Sequence, residues 1–140
     1  MNINVGRVLL GGLVAGIVAN ALDFVGNQYL LGPDMIANAQ RLGLDMAVLN
    51  STSVAVSWVI VDFLYGLLIV FTYAAMRPRF GPGPTTAVVA GVTLFLAVTV
   101  VLYGFMKMGM FTELLFIKSA AFQLVVAVIA SVAGASVYKE

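Results

Sequence analysis

Four long runs of apolar residues dominate the chain, and short polar stretches separate them. The runs cover about residues 6–31, 53–76, 85–106 and 111–138. Each reaches the roughly 20 residues that cross a hydrocarbon core as a helix. None alternates apolar and polar positions as a membrane β-strand does. The pattern predicts an all-α, polytopic bundle of four transmembrane helices, up-down in topology, with residues 1–140 forming one domain. The start of the first run, Arg7 through Ala19-Asn20-Ala21, imitates a secretory signal with its cleavage site. The apolar run continues to Leu31, which favours a span.

The separators differ in kind. Arg77-Pro78-Arg79-Phe80-Gly81-Pro82-Gly83-Pro84 is short and stiff, so it predicts a hairpin with Pro84 in the first turn of the third helix. The stretch from Gly32 to Asn50 is the longest. Gly32-Pro33-Asp34 reads there as a new helix start, with Asp34 favourable at the positive end of the dipole. Met35, Ile36, Ala39, Leu42 and Leu44 form an apolar face, and Asp34, Asn38, Gln40 and Arg41 face water, as expected of a short interfacial helix.

Composition narrows the class further. The chain is 62% hydrophobic and 9% charged, with seven Lys or Arg and six Asp or Glu. A soluble domain carries about 25% charged residues. Thirteen charges cannot cover a water-exposed surface of this size, so a soluble globular domain and a basic nucleic-acid binder are both excluded. The chain has no Cys and no His. Thiolate chemistry, Fe–S ligation and the usual imidazole base are therefore absent. No cofactor, metal site or enzymatic activity is expected. Arg7, Arg77, Arg79 and Lys139 fall on one side of a four-pass topology, and Arg41 and Lys107 on the other. This bias predicts cytoplasmic N- and C-termini, in a bacterial inner membrane, with Arg77 and Arg79 at anionic lipid phosphates.

Two patterns inside the spans go beyond simple insertion. Gly12 and Gly16, four residues apart and followed by Asn20, let helix backbones approach closely. Ala120, Ala127, Ala130, Ser131 and Gly134 do the same in the fourth segment, and Ala87 and Gly91 in the third. Such stripes serve bundle packing or docking against another membrane protein or a second copy.

The second pattern is polar. Asn20, Asp23 and Asn27 share one face of the first segment. Asp62 stands near the middle of the second, with Tyr65 one turn on, while Tyr103 lies in the third segment and Lys118 and Gln123 in the fourth. At about 1.5 Å per residue, all fall between the midplane and the side opposite the termini. An ionisable group at that depth costs several kcal/mol unless it is paired or hydrated. The expectation is one network, with Lys118 paired to Asp23 or Asp62. Tyr29, Tyr73, Phe80, Phe111 and Tyr138 read as interface anchors, Trp58 as a lipid or packing contact, and Met106, Met108 and Met110 as gap fillers.

The stretch Arg7 to Leu13 and the loop Arg77 to Pro84 resemble small four-helix hypothetical membrane proteins of bacteria, a likeness that implies no activity. Two functions fit the sequence. One is a non-enzymatic accessory or structural subunit packed against other membrane helices. The other is a small-solute or proton-coupled transporter, or a ligand-binding bundle, built on Asp23, Asp62 and Lys118.

Overall fold

The computed structural model describes residues 3–139. Helix α1 (Val5–Gly26) begins where the Asn4 side chain accepts the Arg7 N–H at 3.1 Å. A π-helical turn (Asn27–Leu31) joins it to α2 (Gly32–Arg41). The single turn α3 (Met46–Leu49) follows, with Asp45 accepting the Ala47 N–H at 2.8 Å. Helix α4 (Thr52–Phe80) is capped by Ser51, α5 (Pro84–Lys107) opens on Pro84, and α6 (Glu113–Val137) is capped by Thr112. Among the described residues, four helices are long and apolar enough to span a membrane. Among the described residues there is no strand.

Two boundaries differ from the sequence expectation. The first helix does not stop at Leu31: helical backbone runs unbroken through 37 residues, Val5–Arg41. Pro33 lacks an N–H and its ring crowds the carbonyl four residues back. The π-turn just before it is a wider coil in which that missing bond is accommodated without a break. Helix α4 likewise runs past Met76 and takes Pro78 into its last turn before Gly81, at φ +81°, ends it.

The bundle is up-down. Helix α1 packs against α4 and α6, α5 packs against α6 and α4, and α4 meets α6 across the short diagonal. Residues near the two ends of the chain meet on one side, where the Asn4 N–H donates to the Tyr138 hydroxyl at 3.3 Å. We call this the terminal side; it also holds the turn at residues 81–83. The distal side holds α2, α3 and the hairpin between α5 and α6.

Small residues draw the helices together toward the terminal side. A Cβ on Gly66 would stand 2.6 Å from the Gly16 nitrogen and 2.7 Å from the Gly12 oxygen. One on Gly11 would stand 2.7 Å from the Gly134 oxygen, and one on Gly91 2.7 Å from the Ala127 oxygen. Gly12, Gly16, Ala130 and Gly134 are all buried within this one chain. Ile69, Val70, Val126 and Ala130 fill the space between them, and the buried Ser131 hydroxyl donates to the Ala87 carbonyl at 2.5 Å. Tyr138 meets Tyr73 edge-on at 6.0 Å, and the Arg77 guanidinium sits 5.4 Å from the Tyr138 ring centre. Arg77, expected at lipid phosphates, is thus turned onto a ring of its own chain, while Arg79 is exposed.

Packing loosens distally. Helix α4 buries Gly66, Ile69, Val70, Tyr73 and Ala74, but none of residues 52–65. Helix α5 buries Thr86, Ala87, Ala90 and Gly91, then nothing until Met106. The distal half of α4 leans on α1, through Phe63 against Gly16 and the Val59 carbonyl against Asn20. The distal end of α5 leans on α6, through Tyr103 and Phe116 at 6.0 Å. The polar residues sit at this looser level.

Candidate intramembrane acidic site

Asp23, three residues before the end of α1, lies at the level of Gln123 on α6 and Asp62 on α4. All three are partly buried. The Gln123 amide Nε2 donates to Asp23 Oδ1 at 2.7 Å. The Asp62 carboxyl is a close electrostatic neighbour of that of Asp23. Tyr65, one turn from Asp62, lies within electrostatic reach of Asp23. Side chains from α1, α4 and α6 therefore converge at one point along the spans.

Local sequence explains the convergence. Gly26 leaves room for the Phe122 ring, which lies where a Gly26 Cβ would go. That close approach brings α6 against the end of α1 and sets Gln123, the next residue, beside Asp23. On the other flank, Gly16 admits Phe63, the neighbour of Asp62. Asn20 bridges the same two helices: its Nδ2 donates to the Gly16 carbonyl at 2.9 Å and to the Val59 carbonyl at 3.3 Å. Asn20 therefore secures the α1–α4 crossing one turn before Asp23.

The expected pairing of Lys118 is overturned. Its Nζ lies 2.6 Å from Asp34 Oδ2 on α2, not at Asp23 or Asp62. The cause is the unbroken first helix, which carries Asp34 onward alongside α6 instead of releasing it to water. Asn38 and Arg41 are redirected with it. The Asn38 side chain is buried and its Nδ2 donates to the Met110 carbonyl at 3.0 Å. Arg41 Nη2 donates to the Gly109 carbonyl and to Asn38 Oδ1, both at 2.8 Å. Asp34, Asn38 and Arg41 recur every three or four residues, so one face of α2 grips the α5–α6 hairpin. The 3.6-residue period was visible in the sequence, but its polarity pointed to water.

Two further residues stand apart from the cluster. Tyr103 packs on Phe116 and under the Lys107 ammonium, 5.4 Å from the ring centre. Asn27 is exposed in the π-turn. The network expected from sequence is thus two groups: Asp23, Asp62, Gln123, Tyr65 and Asn20 within the bundle, and Asp34 with Lys118 near its distal end.

Two carboxylate groups offer hydrogen-bond acceptors only. A hydrogen bond between Asp23 and Asp62 needs one shared proton, and a cation between them would serve in its place. Gln123 supplies a neutral donor and no positive charge. Among the described residues no group of three or more His, Cys, Asp or Glu converges. Comparison with protein-family models, with curated proteins and with solved structures finds no match to this chain.

Proposed function

We propose that this chain is a small, non-enzymatic membrane protein whose working site is the Asp23–Asp62 pair, which holds one proton or one monovalent cationic group. The observation that carries the reading is the diversion of Lys118 to Asp34. That diversion leaves Asp23 and Asp62 as close acidic neighbours at one level of the bundle, with the Gln123 amide donating to Asp23. Ionisable groups that deep in a span are costly, and a pair of like sign more so. A proton or cation offsets that cost, and exchanging one for the other is the simplest chemistry open to the pair. The looser packing of α4 and α5 at this level supplies room for exchange.

The bias of Arg7, Arg77, Arg79 and Lys139 supports, in this reading, a terminal side at the cytoplasmic face of a bacterial inner membrane. An accessory subunit would need a docking face other than the glycine and alanine stripes, because the close contacts of Gly11, Gly12, Gly16, Gly66, Gly91 and Gly134 are made within the chain.

Proton release tests the proposal. Purified protein in lightly buffered detergent is titrated with Na⁺, K⁺ and a lipophilic ammonium salt while pH is followed. Wild-type protein releases protons on adding at least one of the three, and Asp62→Asn does not. Ser131→Ala, whose hydroxyl lies outside the site, behaves as wild type. Release that persists in Asp62→Asn, or no release from wild type with any of the three cations, refutes it.

A further inference from the structure

Helix α2 has an unusual set of attachments. It buries Asn38 and Ala39, while Met35 and Ile36 stay exposed. Apolar burial therefore contributes little to holding it. Its named attachments are polar: Asp34 to Lys118, Asn38 to the Met110 carbonyl and Arg41 to the Gly109 carbonyl. The ion pair is short at 2.6 Å, yet its side chains keep 41% and 31% of their exposure, so water can compete for it. Directly behind α2 lies the π-turn, whose residues Tyr29 and Leu30 are exposed. Single π-turns inside α-helices are rare and are frequent at functional sites.

The same two helices carry this attachment and the acidic site. Asp34 lies eleven residues beyond Asp23 on the first helix, and Lys118 five residues before Gln123 on α6. Between the two levels, α1 and α6 are held by Phe122 over Gly26. The π-turn starts one turn beyond Asp23.

We infer that α2 is a latched lid over the distal end of the bundle. Asp34–Lys118 is the latch, the Asn27–Leu31 π-turn the pivot, and the Asp23–Asp62–Gln123 level the place to which the lid controls access. The functional part of this inference rests on the acidic-site reading above; the mechanical part does not. With the latch closed, α2 rests on the hairpin at residues 109–110. With it broken, only the Asn38 and Arg41 bonds hold α2 to that hairpin, and in a fraction of molecules α2 swings from the pivot and opens the distal end of the α1–α6 seam.

The chain has no cysteine, so introduced thiols report alone. Nitroxides at Ala37→Cys on α2 and Met108→Cys on the hairpin, both exposed positions, measure the lid distance in nanodiscs. The otherwise wild-type pair gives one narrow distribution. Lys118→Gln and Asp34→Asn each add a longer-distance population, and the charge exchange Asp34→Lys with Lys118→Asp removes it. A narrow distribution in all variants refutes the lid. Access is read separately, by the rate at which a membrane-impermeant thiol reagent modifies Asn20→Cys or Asp62→Cys. Breaking the latch raises that rate about tenfold, within the usual range of coupling between two sites. Two cysteine positions guard against one failing to fold. A lid that moves without changing either rate refutes access control. Neither measurement uses proton release, so a site that binds no cation leaves both outcomes readable.

Discussion

Gly66→Ala and Gly104→Ala are the same chemical change at two helical glycines, and the structure assigns them opposite signs. At Gly104 an added Cβ meets nothing within 4 Å. Alanine is better than glycine in a helix by about 1 kcal/mol, so Gly104→Ala stabilises by up to that amount. At Gly66 the same methyl would lie 2.6 Å from the Gly16 nitrogen, 2.7 Å from the Gly12 oxygen and 3.1 Å from the Ala15 carbonyl carbon. These are backbone atoms in the middle of α1 and cannot rotate aside. Helices α1 and α4 must separate by about 1 Å to restore ordinary contact, and gaps of that size forfeit a quarter to a half of each affected contact. Overpacking of this kind costs about 1–3 kcal/mol, which exceeds the propensity gain. The net expectation for Gly66→Ala is destabilisation by up to about 2 kcal/mol. Unfolding by denaturant in mixed micelles, followed by Trp58 fluorescence or helical circular dichroism, reads both variants. Equal stabilisation by the two substitutions would refute the close α1–α4 approach. The separation has a second reading: the Asn20 bond to Val59, at 3.3 Å, should be lost before helicity is.

Other expectations follow from single contacts. Ser131→Ala deletes a fully buried hydrogen bond to Ala87 and should cost about 0.5–1.5 kcal/mol in the same unfolding assay, with Ser131→Val worse because Gly91 leaves no room for it. Arg41→Ala removes two 2.8 Å bonds and should speed amide exchange at residues 108–112 while leaving α4 unchanged. Asp62→Asn should fold at least as well as wild type, since its amide can donate to Asp23 without a proton; a marked loss of stability would show that Asp62 has another partner.

The bundle was readable from the sequence because length and apolarity alone decide what crosses a bilayer. The small residues were equally legible, since four-residue spacing has one geometric meaning in a helix. Counting depth along each span put Asp23, Asp62 and Gln123 at overlapping depths without saying which of them would touch. Lys118 did not follow. Its partner depends on whether the chain turns at Gly32-Pro33, and those residues carry ordinary start signals for a new helix. The wider turn that absorbs Pro33 has no residue code of its own. One uncounted coil moved Asp34, Asn38 and Arg41 from water to the hairpin and left the acidic pair without its expected counter-ion.

The contact between Asn4 and Tyr138 has a topological consequence. Residues near the two ends of the chain are neighbours at 3.3 Å, and the connection between α4 and α5 turns on the same side. The order of the helices in the chain is therefore separable from their order in space. A short flexible linker between residues 139 and 3, with new ends cut at residues 81–83, would start the chain at α5 and finish it at α4. Every helix would keep its neighbours and direction. Such a permuted chain should insert and fold as the parent does, because the ring of four helices has no seam that the original order alone can close.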